Sequence, residues 1–476
     1  MKDKCRNISG TVNSSYYPPQ VKKLGIEAND ECSNVEGCKT RAIGECSHAE
    51  GICTTAGTET GGEGAHAEGC ETMAIGCCSH AEGCETKAIG SCSHSEGCSS
   101  KAISKCSHAE GICTTAGTDN EGEGAHAEGC NTQALGDCSH AEGNETIASG
   151  SSSHAEGVGT EASEEASHAE GSSTDATGIG SHAEGIRTEA SGEGSHAEGG
   201  NTTASGFISH AEGDFTTASG DRSHAEGLNT EASGEASHAE GRSTSTNNMT
   251  GAHIMGQFGD ACAPFSWNMA NGTNLDNKSI SARILNDGAA CFSSVIIDSP
   301  CPCTDFAEMF ETAEEDGIDV GYFVAFNGES DKIRKATSND NFILGITSAA
   351  PALLAGAAEL NWSKKYITDE WGRVQYHEVT APAVTDKEGN IIVPERTESQ
   401  PVLNPEWQST REYIPRLKRP EWVAVGLLGQ LPVRDDGTCK AGSFCKPNDE
   451  GIATASSTGY RVIKRTSENQ VLVIFR

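Results

Sequence analysis

One pentapeptide, SHAEG, returns at a fixed interval and limits what this chain can fold into. Its histidine falls at 126, 140, 154, 168, 182, 196, 210, 224 and 238, every step being 14 residues. His48, His66, His80, His94 and His108 continue the series upstream, with two steps of 18 where four residues are inserted. Asn34, in SNVEG, holds the first slot. A full unit reads S-H-A-E-G-x-x-T-x-A-S-G-x-x, as in Ser209 to Arg222, and fifteen copies span roughly 32–247. A sustained period of this kind means stacked repeats rather than a globular core.

Fourteen residues are too few to close a helical hairpin, and the unit is rich in Gly, Ser and Thr, which are poor helix formers. Two short strands with tight Gly corners fit. Each unit then becomes one coil, stacked on the next by parallel hydrogen bonds about 4.8 Å apart, so fifteen coils extend roughly 70 Å. A disordered low-complexity segment would share the low hydrophobicity but would not require strict spacing. The expected fold class is therefore mainly β: a parallel β-solenoid of 14-residue coils, followed by a connector and a globular mainly-β domain.

Alternation along a strand divides the motif between two faces. Ser79, Ala81 and Gly83 are expected inside a thin coil, and His80 and Glu82 outside, with Cys78 and Cys84 flanking them on the same face. Stacking makes ladders of His, Glu and Cys. A glutamate ladder repels itself, so nearby His is expected to supply compensating charge. On this expectation Glu raises the folded-state pKa of His. The pairs then stabilise the fold fully below about pH 6.5 and lose that effect as pH rises through the raised value. Burying this face against copies of the same chain, as a homotrimer, is the expected answer to so small a core.

Fourteen of the 21 cysteines lie from Cys32 to Cys138, and none between Cys138 and Cys262, so they follow the repeat rather than a small disulfide-rich domain. Neighbouring coils bring Cα atoms within disulfide range. Zinc or another soft metal is the competing use of Cys and neutral His. Because His and Glu persist from His154 to His238 without Cys, the pair does not depend on thiolates. No metal and no cofactor is expected, and the repeated His carries no catalytic expectation.

The net charge of −35 argues against nucleic acid or an anionic membrane as partner. The start, MKDKCRNISG, lacks the apolar core of a signal peptide, and no run of about 18 apolar residues predicts a membrane span. Residues 1–31 read as a cap or attachment segment. The period slips at 244–260, where His253 follows His238 by 15 residues, and an end cap is expected there. Residues 248–303 read as cap and connector, and 304–476 as a domain with its own core. Strand-like runs in that domain are 320–326, 342–348, 423–433 and 470–476.

At its entrance stands TDFAEMFE. Asp305, Glu308 and Glu311 are three apart, so a helical turn would put them on one side. Crowded carboxylates can leave one protonated as an acid while another acts as base. Such a pair could activate water, or the Thr304 hydroxyl, against an adjacent peptide bond. An exposed acidic helix start explains the same residues equally well.

Two resemblances sharpen these expectations. The 14-residue unit resembles the head repeat of trimeric autotransporter adhesins, a left-handed parallel β-roll, with SHAEG in place of SVAIG. His and Glu replace Val and Ile, which implies a polar seam between chains. GAHIMGQFGD, ILNDG, DFAEMFE, DVGYFV, YITDEWGRVQYHEV, VRDDGTCKAGSFCKPNDEGIATAS and GYRVIKRT, in that order over 248–476, are similar to the autoproteolytic intramolecular-chaperone domain of phage appendage proteins. That family is classed with the glutamic peptidases. The resemblance implies a fibre whose C-terminal domain assembles three chains and then cuts itself away. Asp305 and Glu308 would be the catalytic acids and the cut would fall within 303–305. Here Cys301-Pro302-Cys303-Thr304 precedes DFAE, where the family shows a Gly/Ala-rich approach and DYAE. The expected setting is a virion or prophage particle, attached through the N-terminus, with an unknown receptor. The alternative is a permanent cysteine-knitted fibre or adhesin of a cell or spore surface, with an inert C-terminal knob.

Overall fold

The computed structural model describes residues 25–28, 32–295, 304–314, 316–358, 365–385, 391–393, 395–408, 410 and 412–476. The chain divides into two compact units, 1–294 and 295–476. Among the described residues the helical content is one 3-10 turn, Arg416–Lys418. Most of the expected segment 1–31 lies outside the described residues; within it, Glu27–Ala28 pairs in parallel with Arg41–Ala42.

The first unit is a parallel β-solenoid. Each coil contributes a five-residue strand, such as His80–Cys84, and a two-residue strand, such as Lys87–Ala88. Like pairs with like in register: His80 lies beside His66 and His94, and Ala88 beside Ala74 and Ala102. The interior of the repeated coils holds small side chains: Ser79, Ala81, Thr86 and Ala88 are all at most 1% exposed, and the same slots repeat along the stack, with Val35 and Ile254 in the alanine slot near its ends. Ser79 Oγ donates to Gly76 O at 2.7 Å, closing the corner from inside. The four-residue insertion after Gly57 forms a small excursion closed by the Thr58–Gly61 bridge, so the register of the next coil is kept.

The last residue of the motif departs from expectation. Gly83 is exposed, not interior, and has φ +108°. A Cβ there would lie 2.2 Å from Gly97 O, and the equivalent clash recurs from Gly37 to Gly256. Glycine is required because backbone passes directly over backbone, not because the coil interior is narrow. Cys78 sits in the opposite corner with φ +55°, while Cys84 ends its strand, in register with Cys70 and Cys98. Both are exposed.

Parallel stacking runs past residue 247. The extra residue before His253 is absorbed in the turn at Asn247 and Asn248, both with positive φ, and His253 returns to register with His238. A further coil, Trp267–Asn271, pairs in parallel with His253–Asp260. Pairing turns antiparallel only at Ile280–Ile284, followed by Ala290–Phe292. Trp267 takes the slot where the next histidine would stand and meets His253 edge-on at 6.4 Å, ending the ladder.

From His48 to His253 the imidazoles stack nearly parallel, with centroids 4.6–4.9 Å apart. Glutamate approaches each ring loosely: His80 Nε2 lies 3.7 Å from Glu82, and His224 Nε2 lies 3.3 Å from Glu212 of the preceding coil. Charge-assisted hydrogen bonds are shorter, about 2.7–2.9 Å, so carboxylate attraction is weak here. Burial dominates, repulsion from adjacent imidazolium comes next, and together they hold His80, His108, His168 and His238 below the ordinary histidine value despite the glutamates. This overturns the expected upward shift and reverses its consequence. A depressed histidine pKa leaves stability intact above the unfolded value, about 6.5, and removes it as pH falls toward the folded value. Thermal melts of the full chain followed by circular dichroism are expected to show a falling Tm from pH 7 to pH 5. A Tm that is flat or rises on acidification would contradict the sign.

The second unit is built on a ten-stranded, mainly antiparallel sheet. Phe323–Phe326, Gly345–Thr347 and Gln470–Phe475 fall within three of the expected strand runs, and Trp422–Arg434 spans the fourth with one residue more at each end. Trp422–Arg434 is the central strand, pairing with Asp305–Glu311, Gly345–Thr347 and Gln470–Phe475. Phe323, Ile346, Leu431, Val433, Val462 and Val473 form the main core.

Candidate functional site

The TDFAEMFE segment is a β-strand, Asp305–Glu311, not a helical turn. Its alternation of Phe, Ala, Met and Phe supplies one buried and one half-buried face, and the long central strand is available as partner. The correction matters because side chains three apart on a strand point to opposite faces. Asp305, Ala307 and Met309 are buried, whereas Glu308 is half-exposed. The structure therefore does not gather Asp305, Glu308 and Glu311 on one side.

Asp305 is 3% exposed, and neither carboxylate oxygen has a hydrogen-bond partner among the described residues. A buried carboxyl without partners is costly and is retained only for a reason. The room for it is made by Gly426, where a Cβ would stand 2.9 Å from Asp305 Oδ2 and 2.3 Å from a Leu431 methyl. Next to it the backbone is tightly held. Gln430 N donates to Thr304 O at 3.0 Å, and Ala352 N donates to Asp305 O at 3.1 Å. Gly429, at φ +121°, lies directly beneath the Thr304 carbonyl, where a Cβ would meet that oxygen at 2.1 Å. The Thr304–Asp305 peptide is thus fixed at both carbonyls, with its Thr304 side chain exposed. Residue 303, the start of the expected cleavage window, lies outside the described residues.

Glu308 and Glu311 have separate surroundings. Glu311 pairs with Lys332 at 2.7 Å, which neutralises it and raises the lysine. Glu308 faces Gly356, whose added Cβ would stand 3.6 Å from Glu308 Cγ and 3.5 Å from Arg416 Nη1. Arg416 donates to Gly356 O at 2.8 Å and stacks on Trp422 at 4.0 Å. Sequence reasoning missed Gln430, Gly426, Gly429 and Arg416. Two glycines inside the apolar run VAVGLLGQLPV were the available signal, since glycine within a strand marks close approach of another backbone or group.

The chain thus joins a parallel solenoid to a separate antiparallel domain, and the sequence of its C-terminal half is similar to an autoproteolytic cleavage domain and to phage appendage proteins. Residues 241–471 match the family model Peptidase_G2, IMC autoproteolytic cleavage domain. Over 206 residues, 43% of this chain and 21% of the relative, it is 34% identical to the pre-neck appendage protein of Bacillus phage B103. It is 33% identical over 165 residues, 34% of this chain and 19% of the relative, to the putative phage-related protein YobO of Bacillus subtilis (strain 168). The solved C-terminal fragment of bacteriophage phi29 gene product 12 is 31% identical, aligned over 36% of this chain and 100% of the fragment, with a TM-score of 0.29. The aligned part of this chain amounts to only 15–21% of the length of the curated relatives it matches. Among the described residues no helix is long and apolar enough to cross a membrane.

The contact between Gly429 and Thr304 can be isolated by comparison. Gly437 also has positive φ, +90°, but an added Cβ meets nothing within 4 Å. G437A should cost about 1–2 kcal/mol from backbone strain alone. G429A should cost about 1–3 kcal/mol more from the forced overlap, read as the difference in urea midpoints. Equal costs would mean that Thr304 does not lie over Gly429.

Proposed function

We propose that this chain is a homotrimeric fibre or appendage subunit whose C-terminal domain promotes assembly and then cleaves itself at the Thr304–Asp305 bond. The observation that carries the reading is the buried, unpartnered Asp305 carboxyl beside a carbonyl held by the Gln430 N–H. A backbone donor on the scissile carbonyl stabilises the oxyanion that forms when that carbon is attacked. A water is the nucleophile on the Thr304 carbonyl carbon, and Asp305 delivers a proton to its own peptide nitrogen, so that Thr304 ends as a carboxylate and Asp305 as the freed amine. Glu308, on the opposite face, is assigned as the second acid, acting from the side open to a neighbouring chain, with Arg416 orienting it. Glu311 is tied to Lys332 and serves the fold. The His/Glu stripe is the polar seam where three solenoids meet, and the virion is the setting that the appendage relatives suggest.

Intact mass of the purified chain followed over time tests the cleavage. Two fragments meeting at residues 304 and 305 are expected, and D305N or E308Q should slow their appearance about 10²- to 10⁴-fold. A wild-type chain that assembles yet stays at full mass would sink the proposal. Normal cutting by E308Q would remove Glu308 from the mechanism.

One observation favours a durable fibre as a second reading. Cys70, Cys84 and Cys98 stand in register on consecutive coils at one corner. Exposed thiols so aligned can join coils or chains after oxidation. Non-reducing gels of air-oxidised protein should then show thiol-reversible multimers. Monomers alone, with every thiol still titratable, would exclude it.

A further inference from the structure

We propose that the His/Glu ladder is a one-dimensional array of sites for borderline divalent transition metals, with Zn²⁺ as the reference ion. Each site comprises the imidazoles of two successive coils and one glutamate between them. The proposal rests on atoms of a single chain and does not depend on the assembly or cleavage readings.

At least five such groups occur among the described residues, including His108–Glu110–His126, His168–Glu170–His182 and His224–Glu226–His238. In each, two ring nitrogens and a carboxylate oxygen all lie within 4.8 Å of one another. On Zn²⁺, nitrogen and oxygen ligands at about 2.0–2.2 Å stand roughly 3–4 Å apart. The donors therefore need to close by about 1 Å, which a tilt of half-exposed rings and carboxylates supplies without moving backbone.

Two further features point to a ligand rather than to a finished polar ladder. Among the described residues, Nε2 is buried and without a hydrogen-bond partner at fourteen successive histidines, from His66 to His253. Buried ring nitrogens are normally paired, and here the same lone deficit recurs in every coil. The glutamates, moreover, line a groove of about 690 Å³ running from Glu128 to Glu198. That groove gathers carboxylates at the spacing of the coils with no lysine or arginine among its lining residues, on a chain whose net charge is −35. Cations relieve both deficits together.

The chemistry is ordinary coordination. A neutral imidazole that keeps its proton on Nδ1 presents the Nε2 lone pair, and two of these with one carboxylate form a neutral-nitrogen, single-anion donor set. Imidazole selects Zn²⁺, Ni²⁺ or Cu²⁺ over Ca²⁺ or Mg²⁺. Cysteine is not required, so the persistence of His and Glu through the cysteine-free coils, which spoke against a thiolate site, is what this site needs. Each Nε2 serves one ion. Fifteen stacked imidazoles taken two at a time therefore hold at most seven ions per chain.

The test uses the full chain, stripped with chelator and titrated with Zn²⁺ by calorimetry, and in parallel with Co²⁺ followed by visible absorption. Several ions per chain, not more than seven from the ladder, are expected, with Co²⁺ bands of nitrogen and oxygen ligation. The variant H168N/H182N/H196N/H210N lies where there is no cysteine and should bind about two ions fewer. Asparagine is chosen because Asn34 already fills this slot, 3.4 Å from His48 Nε2, and unchanged circular dichroism would verify that the coils persist. Fewer than one Zn²⁺ per chain, both on titration and after folding in Zn²⁺, would overturn the proposal. So would a stoichiometry that the fourfold variant leaves unchanged, which would place the ions on cysteine instead.

Discussion

Backbone passing over backbone at the glycine of SHAEG is the contact on which the solenoid depends. With a Cβ at Gly171 only 2.2 Å from Gly185 O, no other residue keeps adjacent coils at hydrogen-bonding distance there. The rest of the unit follows from that spacing. Side chains on the inner face must be small, so Ala, Ser and Thr fill it. Little apolar area is buried per coil, and cohesion comes mainly from the continuous ladder of main-chain hydrogen bonds. Identical residues are forced into register, so any polar or titratable side chain on the outer face meets its own kind above and below.

That enforced meeting explains the histidine ladder. Parallel rings 4.6–4.9 Å apart pack well when neutral and repel when charged. Pairing with glutamate looks favourable when residues are counted along the sequence. Contacts of 3.3–3.9 Å show that the carboxylates stand beside the rings without closing on them. At His80, His108, His168 and His238 burial and stacked imidazoles therefore outweigh the carboxylate attraction.

The second unit obeys a different constraint. Its central strand, Trp422–Arg434, must accept the Asp305–Glu311 strand while leaving space for a buried carboxyl and a crossing carbonyl. Gly426 and Gly429 provide both. Arg465 and the fully buried side chain of Asp435, paired at 2.5 Å, pin the loop that follows, through Cys439 O and the N–H groups of Gly437 and Cys439. Such a buried pair is costly to break by removing one partner, so the loop is held rather than free.

The 14-residue period by itself determined the stacked β-coil, its identical register and its Ala/Ser/Thr interior, because side-chain alternation and coil length leave few other arrangements. Apolar runs, long and bounded, separately located four strands of the second unit. Three matters were decided only by tertiary structure. Whether Asp305 and Glu308 share a face depends on helix or strand, and the neighbouring strand Trp422–Arg434 settled that against the local three-residue spacing. The sign of the histidine shift depends on how far burial and stacked imidazoles outweigh carboxylate attraction, which are distances rather than residue types. The end of the solenoid depends on whether a turn can absorb an extra residue, which Asn247 and Asn248 do by adopting positive φ, so the coils continue to Trp267 where the period alone breaks off.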